Sequence, residues 1–471
     1  MLYKPKKLNK LRTAVFNVLL LAFLFWSTAC ELSAQAYTRR NSPYSRYGLG
    51  DLFSTQYAPQ LSTGGAFAAT YSSIWDASIC NPASLAHIQS TVFDVGLFYK
   101  HSRLTENRNN QKGAANDGNL SYLSLSFPVT RSWEVEKDTL RRGIPIQWGM
   151  GISLMPHSTV GYDVRISREV PEIGEVEYKY TGEGTRFRAN WANGLRYKSF
   201  SLGANLGLLF GSVKDRSIIT FKDSAYTYGY NERIMTEENT LGLLWDLGAQ
   251  YDLYLKKSGT IPDPLKDMRI TFGATAGASN NLRILSKEES IRYGSYYGID
   301  TLIITDDSRT NMSLPLSLGG GIAITNGMKW RFGLNYETQL WDKFSYSARS
   351  INVGNSYSIA AGAEFTPDIT DVSNYLKRIR YRLGTYYGKD PRIIGSGANS
   401  YQLLKYGITF GLGLHMKPKK STKEFAILGQ TNIGFEFGYL GHPELINEYF
   451  FQVNLSFSLN DYSWFKRAKF R

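Results

Sequence analysis

Only two cysteines occur in the 471 residues, Cys30 and Cys80, so no disulfide framework is available to staple the fold. The five histidines, His87, His101, His157, His415 and His442, stand far apart, with no H-E-x-x-H run among them. No G-x-S-x-G elbow occurs either. These absences argue against an enzyme, and no catalytic residue, cofactor or metal ligand is assigned. Charged residues make up only 20% of the chain, and beyond residue 36 no apolar run is long enough for a membrane helix. Any membrane residence must then come from strands. No blade-like repeat of about 40–50 residues is visible, which counts against a propeller.

Aromatic residues and glycine are plentiful, at 14% aromatic with 32 Tyr and 44 Gly. That mixture suits a barrel with one lipid-facing surface, one wet surface and aromatic girdles. The formal charge is +14, of which residues 1–36 supply +4 through Lys4, Lys6, Lys7, Lys10 and Arg12 against Glu31. Zinc-ligand spacing, a basic helix and RNA-binding signatures are all missing, so nucleic acid is not an expected partner. Membrane lipids are. The basic start leads into an apolar stretch, Ala14 to Trp26, and then Ala34-Gln35-Ala36, the pattern of a secretion signal cleaved after Ala36. Ser27-Thr28-Ala29-Cys30 resembles a lipobox without its Leu, and lipidation at Cys30 stands as the alternative.

From Thr91 onward a period-2 pattern takes over. Phe93, Val95, Leu97 and Tyr99 share one face while Asp94, Gly96 and Lys100 share the other; Leu202, Ala204, Leu206 and Leu208 alternate with Ser, Gly and Asn in the same way. Fourteen such strands can be placed, an even number that leaves both chain ends on one side. Asn326-Gly327 marks a tight hairpin between the eighth and ninth. Connections after odd strands, including 158–185 and 214–238, are read as longer outer loops, although alternating runs such as Val176 to Tyr180 also fit strand extensions above the membrane. The outward faces carry almost no charge, which disfavours a soluble sandwich. The expected fold is all-β: a transmembrane antiparallel β-barrel of about 14 strands with an N-terminal hatch in its lumen. Its parts are a signal peptide (1–36), an N-terminal extension and hatch (37–90), the barrel (91–460) and a periplasmic tail (461–471).

The hatch is expected from Gly64-Gly65 and the Gly/Ala-rich run that ends in Asn81-Pro82-Ala83-Ser84-Leu85-Ala86 just before the first strand. This segment resembles that of the outer-membrane long-chain fatty acid transporter family (FadL/TodX-like), with Ser84 where that family usually has glycine. Ser42 to Gly50, Leu202-Gly203-Ala204-Asn205, Tyr375 to Tyr381 and the tail from Asn460 to Lys469 are similar to its Bacteroidota-type branch. The resemblance implies a hatch on the periplasmic side of a barrel in a Gram-negative outer membrane. It also implies hydrophobic or amphiphilic ligands entering from outside, in some relatives leaving sideways through the wall. Other relatives serve secretion or assembly machinery.

Among single residues, Asn81-Pro82 reads first as a turn delivering the segment into the first strand, with a gating hinge as the sharper reading. Arg186, Arg188, Arg331, Arg380 and Arg382 fall on inward faces. They are expected either to pair with lumenal acids or to form a stripe that attracts an anionic headgroup. The leading expectation for function is uptake of hydrophobic compounds through a plugged lumen. The alternative is a non-transporting accessory barrel in an outer-membrane secretion or assembly complex. A continuous apolar tunnel favours the first, and a solidly filled lumen the second.

Overall fold

The computed structural model describes residues 41–461 except 107–110, 131–145, 223–230, 257–265, 280–281, 295–297, 347–350, 372, 396, 416–418, 422–423 and 427–428. The signal segment, cleavage after Ala36, lipidation at Cys30 and the tail beyond Asp461 lie outside these residues. Within them the chain forms a closed antiparallel barrel of fourteen strands. These are β1 (Thr91–Glu106), β2 (Gln111–Pro128), β3 (Gln147–Val170), β4 (Gly174–Tyr197), β5 (Phe200–Phe221), β6 (Asn231–Lys256), β7 (Met268–Ser279 and Leu282–Tyr293) and β8 (Asp300–Ser313 and Leu316–Asn326). They continue as β9 (Trp330–Leu340), β10 (Ser356–Phe365), β11 (Arg380–Ile394), β12 (Tyr401–His415), β13 (Gly429–Gly441) and β14 (Ile446–Asp461). Closure comes from β1 on β14, which pair from Thr91↔Asp461 to Glu106↔Ile446. Both ends of the barrel chain therefore lie at one rim, here termed the terminal end.

Alternation explains the two surfaces. On β5, Leu202, Leu206 and Leu208 are exposed while Ser201 and Asn205 on the alternate face are buried, because successive side chains leave a strand on opposite faces. Pro315 falls in the break between the two pieces of β8, where its missing N–H removes no ladder bond. Gly327 closes the β8–β9 turn with a φ of 51°, and Lys329 N donates to Asn326 O at 3.0 Å.

Two segments differ from their expected boundaries. Residues 158–185 are strand nearly throughout: β3 and β4 run on as a hairpin in which Ile166 pairs with Tyr178 and Val164 with Tyr180. Likewise β5 and β6 extend through much of 214–238. These strands are 22 to 26 residues long, whereas a tilted membrane strand needs about 9–11. The excess stands as a ridge at the end opposite the terminal end. Ahead of β13, Glu424–Ala426 pairs with Lys419–Ser421 in a separate small sheet.

Residues 41–90 are held against the inward side of this wall by a belt of glycines. Gly149, Gly194, Gly203 and Gly248 sit directly opposite one another on β3 to β6, as do Gly333, Gly362 and Gly384 on β9 to β11 and Gly411 and Gly434 on β12 and β13. A Cβ on Gly194 would lie 2.5 Å from Pro82 O, and one on Gly362 would lie 2.6 Å from Thr63 O. At Gly384 and Gly203 it would overlap the backbone of Thr63 and of Pro82-Ala83. Glycine is needed here for close backbone approach rather than for a turn. Where β1 and β2 lack such a contact, Tyr122 fills the space over Gly96 and stacks on Tyr57 with ring centroids 3.9 Å apart.

Candidate functional site

The lumen is the natural place for function, and polar side chains fix what fills it. Asn81 caps the short 3-10 helix Pro82–His87 by accepting from Ala83 N at 3.1 Å. Its Nδ2 donates to Ala69 O at 2.7 Å and to Ala249 O on β6 at 3.2 Å. The side chain therefore closes the turn and ties two parts of the segment to the wall at once. Gly64 and Gly65 both adopt positive φ, 65° and 86°, in the turn after the helix Ala58–Leu61. A Cβ on Gly64 would also lie 3.0 Å from the backbone of Thr385.

Each of the five inward arginines has a partner. Arg380 Nη1 donates to Asp76 Oδ2 at 2.7 Å, with both side chains 2% exposed. Tyr71 OH and Ser73 Oγ donate to the same oxygen at 3.0 and 3.1 Å. Arg382 bonds Glu364 and Asn432, each at 2.8 Å. Arg186 spans Glu238 at 3.1 Å and Thr240 at 3.0 Å, and Arg188 meets Asp246 and Asn190. Arg331 donates to Ser72 O at 3.0 Å and stacks over the Phe67 and Tyr71 rings. The geometry is that of lumenal pairing, and an anion could engage four of the five only in competition with a carboxylate.

The sequence reading missed further members of this network. Arg392 binds Asp51 at 2.6 Å, Asp390 at 2.7 Å and Tyr44 O at 3.2 Å, anchoring the start of the segment to β11. Glu448 on β14 meets Ser42 and lies 2.8 Å from Lys100. Apart from Asp390, which is two residues from Arg392, nothing local marks these residues as partners, because they lie more than 300 positions apart along the chain. Beside them an apolar cluster occupies the lumen toward the ridge, with Leu49 packed among Leu209, Leu244, Leu282, Met312 and Trp341.

At the terminal end a 220 Å³ cavity opens, lined by Ile74, His87, Ile88, Arg196, Tyr254, Arg269, Met328, Arg331, Glu364 and Arg380 among others. His87 receives an N–H from Arg196 Nη1 on Nδ1 at 3.1 Å, and Ser201 Oγ lies 3.3 Å from Nε2. A guanidinium can only donate, so Nδ1 is the acceptor and Nε2 carries the proton. Burial, then the Arg196 charge, pushes the imidazole pKa down to about 3. A pKa below the unfolded value of about 6.5 means the unfolded chain takes up the proton first as pH falls. His87 therefore contributes stability fully above about pH 6.5 and loses it progressively toward pH 3. The expected result is a thermal midpoint that falls between pH 6.5 and 4 more steeply in the native protein than in His87→Gln, read by heat-dependent gel mobility.

The family model BamG matches residues 16–471. Among solved structures, the CymD monoaromatic hydrocarbon channel is 13% identical, aligns over 88% of this chain and 98% of its own, and superposes with a TM-score of 0.51. The Pseudomonas putida toluene transporter TodX is 13% identical over 88% and 100%, also at 0.51. The Ralstonia pickettii toluene transporter TbuX is 12% identical over 87% and 99%, again at 0.51. At these identities the likeness is one of fold. No curated protein matches the sequence. With the match covering all but the first fifteen residues, the chain belongs to the BamG family.

Proposed function

We propose that the protein is a non-conducting accessory barrel of an outer-membrane secretion or assembly complex, with residues 41–90 as a built-in hatch. The observation that carries this reading is the belt of inward glycines on β3 to β13, each filled by the segment's own backbone or side chains. Buried ion pairs lock that packing. Paired charges in a lumen suit a fixed filling better than a route for hydrophobic cargo, which would need apolar walls. Membership of the BamG family agrees with an accessory role. The tall β3–β6 ridge then serves as surface outside the membrane, and the terminal end faces the periplasm after signal-directed export. Purification from the native membrane in gentle detergent tests the reading. Partner proteins in fixed ratio to the barrel are expected, and a barrel that elutes alone with bound lipophilic molecules contradicts it.

A second reading is favoured by the fold shared with CymD and TodX, whose names describe a monoaromatic hydrocarbon channel and a toluene transporter. On that reading the barrel takes up hydrophobic or amphiphilic small molecules and the segment moves to admit them.

A further inference from the structure

The cavity at the terminal end is lined by more guanidinium groups than carboxylates, with Arg196, Arg269, Arg331 and Arg380 against Glu364. Its carboxylate neighbours are already engaged by arginines: Asp252 by Arg196 at 3.2 Å and by Arg269 at 3.7 Å, Asp76 by Arg380 at 2.7 Å, and Glu364 by Arg382 at 2.8 Å. Among the described residues, Arg331 has no carboxylate within ion-pair distance, although it is only 8% exposed. Ser72 holds two guanidiniums together, since its carbonyl accepts from Arg331 at 3.0 Å and its hydroxyl from Arg269 at 3.2 Å. Arg269 is 5% exposed, and its buried Nε has no hydrogen-bond partner among the described residues.

Like charges drawn together in a half-enclosed space are costly unless something negative joins them. Planar guanidinium forks are matched to carboxylate and phosphate oxygens, and hydrogen bonds to such oxyanions are the stronger kind. Ile74, Ile88 and Met328 supply an apolar wall on the same cavity. We propose that this vestibule binds an oxyanion, a carboxylate or phosphate group, between Arg269 and Arg331, with the group's apolar substituent against Ile74, Ile88 and Met328. The site differs from the five-arginine stripe, because four of those arginines are satisfied by carboxylates and Arg269 was not among them. It does not depend on whether the barrel conducts or docks, so its test and the test of the accessory role can fail separately.

The test uses the purified mature protein in neutral detergent and reads its thermal midpoint by heat-dependent gel mobility. Potassium phosphate is compared with potassium chloride at equal ionic strength, and with octyl phosphate. Phosphate is expected to raise the midpoint by about 3–8 °C over chloride, as a ligand that binds only the folded state does. Arg331→Gln is expected to abolish that rise, and Arg269→Gln provides the same readout if the first variant does not fold. A larger rise with octyl phosphate places the apolar wall in the site, and an equal one makes the headgroup sufficient. Equal midpoints in chloride and in both phosphates, or a rise retained in both variants, would overturn the proposal and leave screening or an adventitious ion only.

Discussion

Replacing Gly384 by valine is expected to displace residues 63–64 from the barrel wall and to lower the yield of folded barrel. A Cβ at this position overlaps the carbonyl of Thr63, and Gly64 N lies within 2.6 Å of it. All of these are backbone atoms, which cannot rotate away as a side-chain tip could. Overpacking of a filled interior costs about 1–3 kcal/mol and sometimes more, and the upper end applies where backbone meets backbone. That is about a hundredfold in the folded-to-unfolded ratio. Gly203→Val is expected to act alike through Pro82 and Ala83. Gly298→Val is the control, because no atom of the described residues lies within 4 Å of a Cβ there. Heat-dependent gel mobility after refolding separates the outcomes, and a Gly384 variant as stable as the Gly298 control would remove the belt from the account.

The second large effect concerns Asp76 and Arg380. Both side chains are 2% exposed and meet at 2.7 Å, with Trp75 packed against the guanidinium. Removing one member of a buried pair leaves the other uncompensated, at a cost of about 3–5 kcal/mol. Asp76→Asn strands Arg380, and Arg380→Met leaves the Asp76 carboxylate buried with the Tyr71 and Ser73 hydroxyls but no cation on it. The double variant leaves no unpaired charge at this point, so its loss is expected to fall short of the summed single losses by about 1–3 kcal/mol. Equilibrium unfolding in urea from detergent micelles measures the cycle. Strict additivity would mean that the two side chains are not coupled, and that this contact does not hold residues 41–90 in place.

Much of the barrel was legible because its signal is local. Leu202 to Leu208 alternate within a single strand, and Asn326-Gly327 names its own turn, so neither needs knowledge of distant residues. At 158–185 the alternation of Val176, Tyr178 and Tyr180 with Glu177 and Lys179 was visible, but a short run of this kind does not by itself separate a strand extension from a loop. The lumen was legible only in kind. Inward arginines could be listed by parity, yet the partner of Arg380 lies 304 positions away. The glycines that make room for the segment look like ordinary small inward residues until strand register sets Gly149, Gly194, Gly203 and Gly248 side by side. Arg269 and Ser72 carry no motif at all. Only the fold brings them to one cavity.

The central claim is that the segment from residue 41 to residue 90 seals the barrel it precedes. The most direct measurement is the ionic current through single purified barrels in a planar lipid bilayer. The account predicts no steady conductance above baseline for the native protein, and frequent open steps for any Gly384→Val molecules that insert. Stable ohmic conductance through native barrels, unchanged by that substitution, would contradict it.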